Sequence, residues 1–112
     1  MAGKFVLNKA KDGQFYFNLK ASNGEIILTS EMYKAKPSAK NGIESVKKNS
    51  GEEKQYSRLT SKNGKEYFVL KAKNQQIIGQ SQMYSDARSR DNGVKSVMNN
   101  GPGAAVDDQT VA

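Results

Sequence analysis

FNLKASNGEIILTSEMY, residues 17–33, returns as FVLKAKNQQIIGQSQMY, residues 68–84, and this repetition sets the architecture of the chain. At a constant offset of 51, residues 5–50 align with residues 56–101 without a gap, and 19 of the 46 aligned pairs are identical. Solenoid and propeller units need at least three copies before stacking buries a continuous core. Two copies therefore predict a duplicated domain with internal pseudo-twofold symmetry.

The junction between the two copies is too short to separate two domains. Asn49-Ser50-Gly51 has the composition of a helix end followed by a turn. A chain of 112 residues is expected to bury roughly two-thirds of its unfolded surface in one core. The sequence thus predicts one intertwined domain over residues 1–112, with repeat 1 at about 4–55 and repeat 2 at about 56–112.

Composition and charge describe a basic globular protein. Lys and Arg number 18 against 11 Asp and Glu, which gives a formal charge of +7. The longest apolar run, Ile26-Ile27-Leu28, is far shorter than the roughly 18 residues of a membrane span. Residues 1–9 lack the apolar core of a signal peptide, so we expect a cytoplasmic protein without membrane contact. Cys and His are absent, and we expect no disulfide, metal or cofactor.

Hydrophobic periodicity predicts three strands and one helix in each repeat. The strands are expected at residues 5–7, 15–21 and 25–30, and again at 56–60, 66–72 and 76–81. In repeat 1, Ala39, Ile43 and Val46 recur at helical spacing. In repeat 2 the helix is expected at about residues 86–99, with Ser85 as its N-cap.

Turn residues indicate that the strands are joined as hairpins. Asn23-Gly24 predicts a two-residue type I′ turn, because both central positions of that turn need positive φ. Hairpins make neighbouring strands antiparallel. The sequence therefore predicts an α+β fold, in which a duplicated β-β-β-α(-β) motif forms one antiparallel sheet with two helices on one face.

Two glycines are doubled within the predicted helices. Gly42 and Gly93 each cost about 1 kcal/mol relative to alanine in a helix interior. Their presence in both copies predicts a close approach between helix and sheet. Surface glycines that the helix simply tolerates are the alternative.

GEIILTSEMY followed by NGIESVKKN, and QQIIGQSQMY followed by NGVKSV, resemble the YegP-like family of uncharacterised bacterial proteins over nearly the whole chain. The resemblance implies that two motifs build one continuous sheet and exchange their last strands. Residues 56–60 would then end the first motif and open the second, and residues 105–110 would form the terminal strand, with a frayed terminus as the alternative. Because repeat 2 supplies what a partner subunit would, we expect a monomer that acts as a pseudo-dimer. The resemblance implies no activity.

Candidate catalytic residues do not recur in both copies. Glu25 aligns with Gln76, and Glu31 aligns with Gln82. The doubled serines have no His or Cys to activate them. We therefore expect a protein that is not an enzyme. An enzyme with a site in one repeat is the alternative, and it would need a desolvated carboxylate such as Glu25 or Glu31.

The polar faces of the two longest strands carry the candidate binding residues. These are Tyr16, Asn18 and Lys20 in repeat 1, and Tyr67, Val69 and Lys71 in repeat 2. If the helices cover the opposite face, this one is open, and its tyrosines and lysines could stack bases and neutralise phosphates of single-stranded nucleic acid. Tyrosine and lysine are also common on solvated strands. The sequence favours a non-catalytic binding or interaction module of unknown partner, with a weak nucleic-acid binder as the alternative.

Overall fold

The computed structural model describes residues 3–110, which form seven strands and two α-helices. The strands are β1 Lys4–Lys9, β2 Phe15–Lys20, β3 Ile26–Thr29, β4 Tyr56–Thr60, β5 Glu66–Lys71, β6 Ile77–Gln80 and β7 Ala105–Asp108. The helices are α1 Lys36–Asn49 and α2 Ala87–Asn100. A short 3-10 turn at Glu53–Gln55, which the sequence did not predict, leads into β4.

All seven strands belong to one sheet in the order β4-β5-β6-β3-β2-β1-β7. Six of them are antiparallel neighbours, and β7 joins β1 in parallel. The predicted α+β class with a single sheet is confirmed. The sheet is mixed rather than wholly antiparallel, because β7 lies along the edge of β1 in the same direction as β1.

The exchange of terminal strands takes place at one end of the sheet. β7 ends repeat 2 and pairs with β1, which opens repeat 1. Repeat 1 has no equivalent terminal strand, because residues 53–55 lead directly into β4, and β4 pairs with β5 of repeat 2. The predicted terminal strand therefore exists, and it is shorter than the expected 105–110.

Equivalent residues of the two repeats meet at the centre of the molecule. Among residues 3–110, β3 and β6 are joined by one pair, Thr29 with Gln80, which are 51 residues apart. Ser50 and Gly101 are also equivalent, and a Cβ built on Gly101 would collide with the Ser50 side chain, 2.8 Å from its Cβ. Because equivalent residues can touch only near a twofold axis, these pairs mark the predicted pseudo-twofold axis.

The hairpin at Asn23-Gly24 differs from the predicted turn. Gly24 has φ of +87° and Asn23 does not have positive φ, so a type I′ turn is wrong. The Gly24 N–H donates to the Ala21 carbonyl at 2.9 Å, and the Ala21 N–H donates to the Glu25 carbonyl at 2.8 Å. This is a three-residue loop, in which a type I turn is followed by one left-handed residue.

The helix boundaries follow local chemistry. Pro37 stands in the first turn of α1, where a missing N–H costs nothing. The N-cap of α2 is Asp86, whose carboxylate accepts a hydrogen bond from the Ser89 N–H at 2.8 Å. The prediction of Ser85 as N-cap is therefore wrong by one residue, because the carboxylate of Asp86 satisfies a free N–H of the first turn.

The core lies between one side of the sheet and both helices. The fully buried side chains of the sheet include Phe5, Leu7, Phe17, Leu19, Phe68 and Leu70. They belong to one hydrophobic cluster with the helix residues Ala39, Ile43, Val46, Val94 and Val97. Both helices thus cover the same face, as the sequence predicted. Neither helix among residues 3–110 has the length and apolar character that crossing a membrane requires.

Both doubled glycines are packing sites. A Cβ on Gly42 would lie 2.5 Å from the Tyr33 hydroxyl and 3.0 Å from Phe17 Cε2. A Cβ on Gly93 would lie 2.8 Å from Tyr84 Cζ. The predicted close approach of each helix to the sheet is confirmed. It brings each helix against the tyrosine that follows the third strand of its own repeat.

Candidate binding surface

The strand register defines a row of residues across the sheet. Asn18 pairs with Thr29, Thr29 pairs with Gln80, and Gln80 pairs with Val69. Because paired residues point to the same side and successive residues alternate, this row points away from the buried phenylalanines of β2 and β5. We call this side, which the two helices leave uncovered, the open face.

The row separates the two predicted tyrosines. Tyr16 and Tyr67 each stand two residues before the row, but β2 and β5 run in opposite directions, so the tyrosines lie on opposite sides of it. Tyr16 therefore shares its side of the row with Lys71, and Tyr67 shares the other side with Lys20. Three strand spacings put each of these Tyr and Lys backbones about 14 Å apart.

An isoleucine accompanies each lysine. Ile26 pairs with Lys20 and Ile77 pairs with Lys71, and the two isoleucines are 45% and 41% exposed. The first composite patch consists of Tyr16, Ile77 and Lys71, and the second composite patch consists of Tyr67, Ile26 and Lys20. Each composite patch takes residues from both repeats, so neither repeat carries one alone.

Five of the six predicted binding residues are partly exposed on the open face. They are Tyr16, Asn18, Lys20, Tyr67 and Lys71. Val69, the sixth, is only 2% exposed and so offers little surface for a contact. Its short side chain lies in register between Ser57 and Gln80. The Asn18 amide donates to Thr29 Oγ1 at 3.0 Å, which ties its side chain to the sheet.

A groove of about 470 Å³ follows the junction of the two repeats. Its walls include Ile26, Thr29, Glu31, Met32, Gln80 and Gln82. Glu31 and Gln82 are equivalent residues, so the groove carries an acid on the side of repeat 1 and a neutral amide on the side of repeat 2. The two walls of the groove therefore differ in charge at this pair of equivalent positions.

The groove offers no recognisable catalytic chemistry. Ser30 Oγ accepts a hydrogen bond from the Phe17 N–H at 2.9 Å and donates to the Glu31 carbonyl at 2.7 Å. Ser81 makes the same two bonds in repeat 2. Glu25 and Glu31 are exposed, so the desolvated carboxylate that an enzyme would need is not found at either. Within residues 3–110, no three His, Cys, Asp or Glu side chains are placed to hold a metal ion.

Charge is not concentrated on the open face. Lys4 lies on this face and is 3.5 Å from Asp107 of the neighbouring β7. In the described part of the chain, Lys20 and Lys71 have no carboxylate within 4 Å. Most other cations stand on helices and turns. The open face thus combines two free lysines with exposed apolar area.

The exposed isoleucines are the residues that sequence reasoning missed. The sequence places the run Ile26-Ile27-Leu28 in the expected strand at residues 25–30, without assigning its side chains to either face. Three consecutive residues of a regular strand cannot share one face. An apolar run of this length in a strand therefore indicates that an apolar side chain points away from the core. A register shift beside Lys20 directs Ile27 and Leu28 to the core and leaves Ile26 on the open face.

Comparisons with known proteins agree with the duplication. The model of a family described as a domain of unknown function (DUF1508) matches residues 10–56 and again residues 61–108. A UPF0339 protein of Acinetobacter baylyi is 59% identical over 110 residues, which span 98% of this chain and 99% of the relative. The UPF0339 protein YegP of Escherichia coli K12 is 56% identical over 110 residues, spanning 98% of this chain and 100% of the relative.

Solved structures show the same fold. The solution NMR structure of yegP from E. coli, a protein of unknown function, superposes with a TM-score of 0.94 at 55% identity, covering 100% of this chain and 97% of that chain. The solution NMR structure of a UPF0339 protein from Shewanella oneidensis gives a TM-score of 0.90 at 56% identity, covering 96% and 92%. None of these four descriptions names an activity.

Proposed function

Since this chain belongs to the DUF1508 family, as its resemblance to YegP-like proteins implied, we propose that it is a non-catalytic binding module of the bacterial cytoplasm that contacts a partner protein through the open face. The observation that carries the proposal is the exposure of Ile26 and Ile77 at equivalent positions of that face. A solvated sheet face normally carries polar side chains. Leu59 on β4 adds a third aliphatic side chain, 38% exposed.

The composition of the open face suits a protein partner. Apolar and aromatic groups dominate the buried centre of protein interfaces, and charged groups are depleted there. The two composite patches supply Ile and Tyr, and the lysines stand at their margins. The non-catalytic part of the proposal is supported by the bonded serines and the exposed glutamates of the groove.

A charge placed in the apolar part of the open face tests the proposal. Immobilised wild-type protein should retain a partner from a bacterial extract, and the variant Ile26→Asp with Ile77→Asp should lose it. Asn41→Asp with Asn92→Asp is the matched control, since it adds the same two charges at exposed helix positions. The retained protein is then purified and its Kd measured against all three forms. Equal affinity for the wild-type protein and the isoleucine variant would exclude the open face as the contact surface.

Single-stranded nucleic acid is a second candidate partner. The observation that favours it is that each composite patch places a tyrosine and a free lysine on the same side of the row. Such an arrangement could hold one stacked base and one phosphate on each side. Lys4 adds little, because Asp107 neutralises it. Fluorescence anisotropy with a labelled oligonucleotide at physiological salt tests this candidate.

We also propose that the protein is a monomer in solution. The support is that repeat 2 provides β7 to the edge of β1 within one chain, so that a second chain is not needed to complete the sheet. Sedimentation velocity should give a single species near 12.3 kDa. A stable dimer at micromolar concentration would contradict this proposal.

A further inference from the structure

β7 shows what kind of strand the outer edge of β1 accepts. The two strands run parallel, with Phe5 opposite Val106 and Leu7 opposite Asp108. The Leu7 carbonyl accepts a hydrogen bond from the Gln109 N–H at 2.9 Å. Addition of an extended segment to a sheet edge is a common mode of peptide recognition, in which backbone bonds give affinity and side-chain pockets give specificity.

The edge of β1 is lined with cations that match the acids of β7. The Asp108 carboxylate is 2.7 Å from Lys36 Nζ of α1, and the Asp107 carboxylate is 3.5 Å from Lys4 Nζ. The hydrogen bond from Lys36 holds the pKa of the Asp108 carboxyl well below its usual range. Lys4 and Lys36 beside the edge of β1 therefore favour an acidic strand by charge.

β7 leaves space unfilled between itself and α1. Val106 points toward α1 and remains 44% exposed. Beside it lies a mainly apolar cavity of about 290 Å³, lined by Lys40, Asn41, Ile43, Glu44 and Val106 itself. A longer apolar side chain at this position could enter the cavity and cover more of the helix.

β7 is held mainly by its backbone pairing with β1 and by the ion pairs of Asp107 and Asp108. Ala105 and Val106 are exposed, and Asp107 and Asp108 are partly exposed. The core contact of this segment is Ala104, which is 2% exposed and precedes the strand. None of residues 105–108 belongs to the hydrophobic cluster, so release of β7 beyond Ala104 would remove no member of the core.

We propose that the edge of β1 binds an acidic extended segment of a partner protein, and that β7 occupies this edge as a displaceable internal competitor. The partner segment runs parallel to β1, with a large apolar residue at the position of Val106 and a carboxylate at the position of Asp108. Because β7 is tethered, it competes at a high effective concentration. The partner overcomes this by filling the cavity that Val106 leaves open. The site is distinct from the open face and does not depend on its role.

Peptide titrations of the full-length protein test the proposal. Three peptides are compared by NMR: ALDDQT, AVDDQT with the sequence of β7, and ALKKQT with reversed charge. The full-length variant Asp107→Lys with Asp108→Lys removes the competitor's charge match. In this variant we expect ALDDQT to shift the amide signals of β1 and of the first turn of α1, and to bind at least tenfold more tightly than AVDDQT. The wild-type protein should bind ALDDQT at least tenfold more weakly than the variant does.

Several results would overturn the proposal. Equal shifts with ALKKQT would mean that charge does not select the strand. Shifts confined to the open face, or none at millimolar peptide, would mean that β1 is not a binding edge. Exchange of β7 between two wild-type copies, seen as a dimer at the concentrations used, would make a second copy the occupant and the proposal wrong.

A conservative substitution within the chain keeps the proposal testable if the charge-reversed variant does not fold. Val106→Leu should enter the cavity and hold β7 more firmly. We expect slower hydrogen exchange of the Leu7 amide, which faces β7, and weaker binding of ALDDQT. Unchanged or faster exchange in Val106→Leu would show that the cavity does not govern occupancy of the edge.

Discussion

Leu28 and Gly79 occupy the same position in the two repeats and lie against each other at the centre of the sheet. A Cβ on Gly79 would be 2.6 Å from Leu28 Cδ2 and 2.7 Å from its Cγ. Two identical side chains cannot fill the same space on a twofold axis, so one member of the pair is a glycine. Ser50 and Gly101 show the same solution where the two helices end.

Exchanging the two residues on the axis should restore stability that a single change removes. Gly79→Leu should destabilise the protein by about 1–3 kcal/mol through overpacking, and Leu28→Gly should be destabilising through the cavity it leaves. The double variant should lose about 0.5–3 kcal/mol less than the sum of the single changes, as expected for contacting residues. Urea unfolding of all four forms measures this, and strict additivity would show that the two residues do not share one space.

Filling the doubled helix glycines should also be destabilising. Gly42→Leu and Gly93→Leu should each cost about 1–3 kcal/mol, because the new side chain meets Tyr33 or Tyr84. Leucine has the better helix propensity, so the sign of the change reports packing. Gly51→Ala is the control, since the nearest atom to its Cβ would be 3.6 Å away. A raised Tm for both leucine variants would contradict the close approach.

A glycine at residue 75 should stabilise the fourth hairpin. Gln75 has φ of +72°, whereas the equivalent Gly24 has φ of +87°. A left-handed conformation costs a residue with a Cβ roughly 1–2 kcal/mol, and the added chain entropy of glycine offsets part of this gain. We expect Gln75→Gly to raise the free energy of unfolding by about 0.5–1 kcal/mol. Gly24→Gln, the reverse change in repeat 1, should lower it, and equal effects of both would refute the argument.

The attachment of β7 should weaken in acid. Lys36 first, and then Thr110, lower the pKa of the Asp108 carboxyl by hydrogen bonding. A group whose folded pKa is depressed contributes stability above its unfolded pKa, about 3.9 for Asp, and this is lost as the pH falls toward the folded pKa. The NMR signals of Leu7 should therefore report release of β7 below about pH 4. Asp108→Asn should weaken attachment at neutral pH and flatten this dependence. An identical pH profile in the variant would rule out Asp108 as its source.

Nucleic-acid binding by the composite patches makes a quantitative salt prediction. Affinity for a single-stranded oligonucleotide should fall with a log-log slope of about −0.7 per phosphate neutralised. Tyr16→Ala with Tyr67→Ala should cost about 1–3 kcal/mol per stacked base, and Lys20→Ala with Lys71→Ala should flatten the salt slope. The measurement belongs at physiological ionic strength, where the Debye length is about 8 Å. Absence of binding at tens of micromolar protein would exclude single-stranded nucleic acid as the partner and would leave the protein-binding proposal.

The sequence predicted those elements whose structure depends on residues close together in the chain. The strand at Tyr56–Thr60 has the predicted bounds, and both helices lie where apolar residues recur at helical spacing. The predicted type I′ turn at Asn23 and the predicted N-cap at Ser85 are wrong because several turn and cap geometries fit the same residues. The sequence predicted the candidate surface as one face of two strands. It could not predict the burial of Val69, because that burial depends on the strands on either side of β5.

The duplication and its pseudo-twofold symmetry were determined by the sequence alone, because a constant offset of 51 residues constrains both halves to the same local structure. Tertiary structure decided how the halves meet. Only the strand order puts Tyr16 and Lys71 on one side of the row and Tyr67 and Lys20 on the other, and only the assembled sheet places β7 parallel to β1. Such contacts join residues far apart in the chain, so their geometry depends on the packing of the whole sheet and not on any local pattern.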